Sequence, residues 1–299
     1  MSDFGLCVLI TPSAAGHGWR EALAVRAAQL GWLIRDSAAT PGDASATGLV
    51  FAHNHAAMLA FPASARAVII DTTATDPVDP GQPAALDALI LRSQVLVEAE
   101  MAAQAGAAVL NAARYALDFP VLGPVERREG SPYRIHPSVS ESPLAIFDDA
   151  APGASATWSP RWFVYPDGFQ GSADEPLIDL TGRMRPVIHG PYLHLPAGRW
   201  RVDLSFTVDP EQAHAPLLFE WGSGIEFCRI MTEIRYPGTY SVSLDRIWIE
   251  PDAVQLRIWP AHPVFQGRFG FRGCRVTRVS MDDPSPLTPI DRIVEAGVV

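Results

Sequence analysis

The chain has 299 residues, 48% hydrophobic and 19% charged, with a net charge of −10. That length allows one or two domains with a buried core. The acidic balance argues against a nucleic-acid backbone or an anionic membrane as the main partner. All 23 basic residues are arginine, so a lysine Schiff base and a Walker-type phosphate-binding lysine are excluded as well. Cys7, Cys228 and Cys274 are too few and too scattered for a disulfide framework or a zinc site. Cys228 and Cys274 fall in strand-like segments and are expected to pack as small apolar groups. The N-terminal apolar run is short and lacks the basic start of a signal peptide. No run reaches the length of a membrane span. A cytoplasmic protein is therefore expected.

Residues 5–11 read as a buried strand, 12–18 as a small-residue loop, and 19–30 as a helix. Short strands follow at 33–35, 49–52 and 67–71, with another at 109–111. Helical pieces lie between them at 55–61 and 84–105. This alternation predicts an α/β domain, Rossmann-like, with a mainly parallel sheet covered on both faces. Ligands of such sheets bind at the carboxyl ends of the strands. The candidates there are Ser13, Gly16, His17 and Gly18 after the first strand, His53 and His55 after the third, and Asp71 to Thr73 after the fourth. Backbone amides of the Ser13–Gly18 loop suit an anion at a helix start; a plain tight turn is the alternative. His53 and His55 read either as a donor pair or as part of a cap in which Asn54 holds the helix start. Two histidines fall short of a catalytic zinc set, and neither a metal nor a cofactor is expected.

The stretch from Gly16 to Trp32 resembles the first loop and helix of the N-terminal domain of GT-B glycosyltransferases. Residues 89–101 are similar to that family's strand, serine and acidic helix near the domain end. The resemblance implies a nucleotide-sugar transferase, with a second Rossmann-like domain carrying paired acidic residues. Here β-rich sequence follows instead, which points to a glycan-contacting half-enzyme.

From Gly123 to Pro160 six prolines break the pattern. The domain boundary is placed at 130, with a linker over 131–160 in which 144–147 is a candidate strand. Beyond it, strict alternation sets Trp200, Val202, Leu204, Phe206 and Val208 on one face of a strand. The same period recurs at Leu217, Phe219 and Trp221, at Tyr240, Val242 and Leu244, and at Val254, Leu256 and Ile258. Gly273 marks a bulge where the inward phase shifts from Phe271 to Cys274. Turns fall at 223–224, 237–238 and 251–252. An all-β jelly-roll sandwich over 161–282, of about eight strands, is predicted. A tail over 283–299 is expected to carry a short helix at 289–296.

The segment from Ile178 to Trp200, with the closing strand from Gly267 to Val279, resembles galactose-binding-like sandwiches of the carbohydrate-binding-module kind. The resemblance implies a sugar ligand. Sugar recognition pairs an aromatic face with side chains that bond hydroxyls. Six of eight tryptophans lie in this half. Trp158, Trp162, Tyr192, Trp248 and Trp259 are the aromatic candidates; Arg183, Arg185, His189, His194, Arg257, His262 and Arg268 are the polar ones. The competing account makes the aromatics core and the arginines a solvated face. Glu220 and Glu226 flank a glycine turn, and a glycosidase needs two carboxylates about 5–10 Å apart. No Gly-x-Ser-x-Gly elbow occurs. The function expected is therefore non-catalytic binding of an oligosaccharide or polysaccharide, in bacterial surface-polysaccharide assembly. A glycosyltransferase-like enzyme and a structural homo-oligomer are the rivals.

Overall fold

A computed structural model describes residues 5–36, 48–72, 83–127, 142–149, 151–210 and 214–281. By internal contacts the chain forms two units: Met1–Thr75 with Leu91–His136, and Asp76–Ile90 with Pro137–Val299. The boundary expected at 130 and the tail over 283–299 lie outside the described residues.

The first unit holds β1 (Leu6–Ile10), α1 (Ala14–Gln29), β2 (Leu33–Asp36), β3 (Gly48–Ala52), α2 (His55–Met58) and β4 (Arg66–Ile70), then α3 (Pro83–Gln104) from Leu91 onward and β5 (Ala108–Asn111). The five strands are all parallel. β1 is apolar without alternation because both of its faces are covered. Leu6 and Val8 pack with Trp19, Leu23 and Ala27 of α1. Cys7 and Leu9 pack with Ala99 and Ala102 of α3. The strand order is β2-β3-β1-β4-β5. β3 rather than β2 sits beside β1, which departs from the 3-2-1 order of a Rossmann half. A hairpin the sequence did not announce follows, β6 (Ala116–Phe119) with β7 (Gly123–Glu126). Its Phe119 ring packs 5.9 Å from Trp19, whose indole N–H donates to the Ala112 carbonyl at 2.9 Å.

The second unit is a β-sandwich. Its strands are β8 (Ser155–Trp158), β9 (Gln170–Gly171), β10 (Pro176–Asp179), β11 (Ile188–Leu195), β12 (Gly198–Asp209), β13 (Ala215–Ser223), β14 (Glu226–Ile234), β15 (Gly238–Trp248), β16 (Asp252–Pro260) and β17 (Arg268–Val279). One antiparallel sheet runs β15-β12-β17-β10-β9, with β8 also on β17; the other runs β11-β16-β13-β14. The expected linker thus contributes a strand, β8, to the sandwich. Its segment at 144–147 is not a strand: Ala145–Phe147 form a 3-10 turn, with Leu144 and Ile146 buried.

Inward residues are those the alternation names. Trp200, Val202, Leu204, Phe206 and Val208 are all at most 2% exposed. Phe206 meets Phe219 of the opposite sheet at a tilt, with ring centres 5.0 Å apart, and stacks with Tyr240 and Phe269 of its own sheet. The register of β12 against β17 shifts between Leu204 and Phe206, beside Gly273 at φ 82°. A Cβ at Gly273 would lie 2.5 Å from the Trp158 carbonyl oxygen, so both the bulge and β8 require glycine there. The three cysteines are free, and burial pushes the Cys7 thiol up to about 12 and the Cys228 thiol up to about 11.

Truncating Phe206 removes the ring that joins the two sheets. Phe206→Ala is expected to lower unfolding stability by about 3–5 kcal/mol, the usual cost of an aromatic cavity, as measured by urea denaturation followed through tryptophan fluorescence.

Candidate functional site

The second sheet presents an outer face whose register sets four polar residues in one row. His189 of β11 lies opposite Arg257 of β16. Arg257 lies opposite Glu220 of β13, and Glu220 opposite Arg229 of β14. Each is flanked in sequence by inward side chains, such as Ile258 and Leu256 or Phe219 and Trp221, so period two turns the row outward. Trp259 and Leu218 face each other on one side of it, and Gly222 and Phe227 on the other.

Glu220 faces outward, yet only 6% of its side chain is exposed, because its neighbours cover it. Its Oε1 accepts from Arg229 Nε at 2.7 Å, and its Oε2 accepts from Trp259 Nε1 at 2.9 Å. Arg257 Nε lies 3.2 Å from Oε2. The Arg257 guanidinium in turn sits 3.6 Å above the Phe227 ring, a stack worth about 0.5–2 kcal/mol. Gly222 makes that stack possible: a Cβ there would meet Phe227 Cδ1 at 2.7 Å and the Glu226 carbonyl oxygen at 2.1 Å.

At the other end of the row, β11 bulges between Pro191 and Leu193. Tyr192 takes a left-handed conformation, φ 65°, which is costly for a bulky residue. The bulge brings its hydroxyl 2.7 Å from His189 Nδ1. Burial first, and the Arg257 charge second, hold the His189 pKa below its ordinary value. In a neutral ring Nδ1 either accepts from the Tyr192 hydroxyl or donates to it, according to the tautomer.

Of the sugar-site candidates, the structure brings His189, Tyr192, Arg257 and Trp259 together. His194 occupies the next outward position of β11, half-buried, opposite Ala253. Trp162 ends a 3-10 turn beside β11: its carbonyl oxygen is 3.6 Å from where a Gly190 Cβ would be, and Val164 bridges to His189. Trp158 and Trp248 are corrections. Trp158 is fully buried, 5.7 Å from Trp221, with its N–H given to the Pro143 carbonyl. Trp248 is 5% exposed and meets Trp221 edge-on at 5.4 Å. Neither has a face to offer a ligand. Arg183 and Arg185 lie on the β10–β11 connection, where Arg185 is ion-paired with Asp167. His262 is exposed on the β16–β17 connection, and Arg268 belongs to the other sheet. The structure does not place these four in the row. Glu220 and Glu226 are not a free acid/base pair either, since Glu226 binds Arg246 at 2.6 Å. Sequence reading missed Phe227 and Arg229, and it weighed Glu220 only as an acid; their common face shows only once strand order is known.

In the first unit, the expected loop at 12–18 is largely helix, because α1 starts at Ala14. Ser13 caps it, with Oγ accepting from the Gly16 amide at 2.9 Å. Gly16 is required by packing: a Cβ would stand 2.1 Å from the Thr11 carbonyl oxygen. A Cβ on Gly18 would meet Arg127 Cδ at 3.0 Å. His17 is exposed and pairs with Glu21 at 3.2 Å. His53 is exposed, while His55 Nδ1 lies 2.5 Å from Glu98 Oε2, an acidic partner that sequence reading did not mark. Asn54 caps α2 through the Ala57 amide. Among the described residues no three His, Cys, Asp or Glu side chains cluster as metal ligands, and no helix is long and apolar enough to cross a membrane.

No known protein family matches the chain, and no curated protein matches it. Among solved structures, it is similar to the CBM22-1 xylan-binding domain from Paenibacillus barcinonensis Xyn10C. There the identity is 11% and the TM-score 0.27, over 43% of this chain and 83% of that one. It is also similar to a family 16 carbohydrate binding module, at 9% identity and a TM-score of 0.24, over 38% of this chain and 83% of that one.

Glu220→Gln removes the charge that holds both arginines. A loss of about 1–3 kcal/mol of unfolding stability is expected, read from the urea midpoint. The depressed His189 pKa means that the unfolded chain binds the proton more readily. Stability contributed by neutral His189 is present above its ordinary value of 6.5 and is lost as pH falls through the lower folded value. A plot of unfolding free energy against pH is expected to lose this acid-side component in His189→Asn.

Proposed function

We propose that the outer face of the second sheet binds a carbohydrate without catalysis. The observation that carries this is Trp259. Its ring is half-exposed on a sheet face, and its edge is fixed by the indole N–H bond to Glu220. A fixed aromatic ring beside guanidinium and imidazole donors is the combination that sugars require: a surface for the apolar ring face, and hydrogen bonds for the hydroxyls. The strand orders β10-β17-β12-β15 and β11-β16-β13-β14 support taking the sandwich as a jelly roll. In this reading the occupied carboxylate of Glu220 positions Trp259 and the arginines and performs no acid/base step. Surface-polysaccharide assembly is the setting proposed for the binding.

Titration calorimetry of the intact protein against a panel of oligosaccharides, with UDP and GDP alongside, tests the proposal. Heat is expected from an oligosaccharide. Trp259→Ala is expected to weaken that binding at least about tenfold, or 1.4 kcal/mol, while His262→Ala leaves it unchanged. Heat from UDP or GDP alone moves the function to the first unit and defeats the proposal.

A further inference from the structure

We infer that the glycan recognised on this face is acidic, and that its carboxylate is bound by the arginines Arg257 and Arg229. The inference rests on the carbohydrate reading above and adds the chemical class of the ligand. One carboxylate, Glu220, faces two guanidinium groups, so the row carries two positive charges against one negative. Glu220 accepts a hydrogen bond from Arg229 Nε and forms an ion pair with Arg257, whose Nε lies 3.2 Å from Oε2. Apart from the aromatic stacking of Arg257, those are the only hydrogen bonds and ion pairs of the two side chains among the described residues. The terminal Nη donors of both therefore carry no protein hydrogen bond. Arg229 is 57% exposed at its side chain, and Arg257 is 23% exposed.

Both side chains are also held in place. The Arg257 guanidinium carbon sits 3.6 Å from the Phe227 ring centre, and Glu220 is pinned from its other side by Trp259. A guanidinium held over a ring, with unspent donors, is matched to a carboxylate rather than to a single hydroxyl. The row's other members, His189, Tyr192 and Trp259, add no negative charge. The acids at the rim of β14 are already neutralised, Glu226 by Arg246, and Glu233 by Arg235 and His214. A cationic row on a chain of net charge −10 is a local exception to its own surface.

The test compares each of three polyuronates (oligomers of galacturonate, mannuronate and guluronate) with its methyl ester, which keeps the sugar and removes the charge. Neutral oligosaccharides form the third arm, and all are titrated into the full chain. At least one acid form is expected to bind about tenfold or more tighter than its ester. Arg229→Gln and Arg257→Gln are expected to bring the acid form down to its ester, with urea midpoints confirming that both variants fold. Equal binding of acid and ester, or binding of neutral oligosaccharides alone, overturns the acidic-ligand inference and leaves carbohydrate binding standing. No binding in any arm overturns both.

Discussion

The long strands of the sandwich are apolar on one side only, so neither sheet is stable without the other, and this constraint organises the second unit. Trp200, Val202, Leu204, Phe206 and Val208 must all face inward together, because a one-residue slip of β12 turns every one of them to water. At roughly 1.5–3 kcal/mol for each buried large side chain, the register of β12 is fixed far more strongly than any surface contact could fix it. The bulge at Gly273 shows the same force at work. The chain inserts extra backbone in β17 and gives up part of the ladder, keeping both Phe271 and Cys274 on the buried side.

The outer face inherits its order from this inner one. Once Phe219 and Trp221 are committed to the core, Glu220 must point away from it, and the same holds for Arg257 between Leu256 and Ile258. Strand order then sets Glu220 between Arg229 and Arg257. A carboxylate covered by its neighbours is costly unless it is paired and hydrogen-bonded, and here two donors, Arg229 and Trp259, and the Arg257 charge satisfy it. The row is thus a by-product of core packing that has been furnished with matched side chains. Removing any one member leaves the others charged and partly covered.

Much of the architecture was legible because it rests on period. The parallel strands of the first unit read as continuous apolar runs, and those of the sandwich as alternation. Trp248 was legible too, in phase with Tyr240, Val242 and Leu244, and the phase should have placed it in the core. Trp158 offered no such signal: β8 is four residues long and lies among prolines, and its partner β17 is more than a hundred residues away in sequence. The row itself could not be read, because period gives the face of a residue but not its neighbour on the next strand. In the first unit the glycine pattern has a local reason of its own. Gly16 is small because the start of α1 runs against the Thr11 carbonyl, a packing demand that produces the same letters as an anion loop.

The overall charge decides how an acidic glycan must be caught. With a net charge of −10, the molecule as a whole repels a polyanion rather than steering it in. At physiological ionic strength that repulsion is screened beyond about 8 Å, so attraction and selection both fall to groups in direct contact. Two guanidiniums held by a carboxylate beneath them suit that task, because their attraction is short-ranged and their geometry is set before the ligand arrives. Trp259, pinned by the same carboxylate, adds a contact that charge alone does not provide. In the proposed reading, recognition of an acidic glycan therefore rests on contacts within the row rather than on the field of the whole molecule.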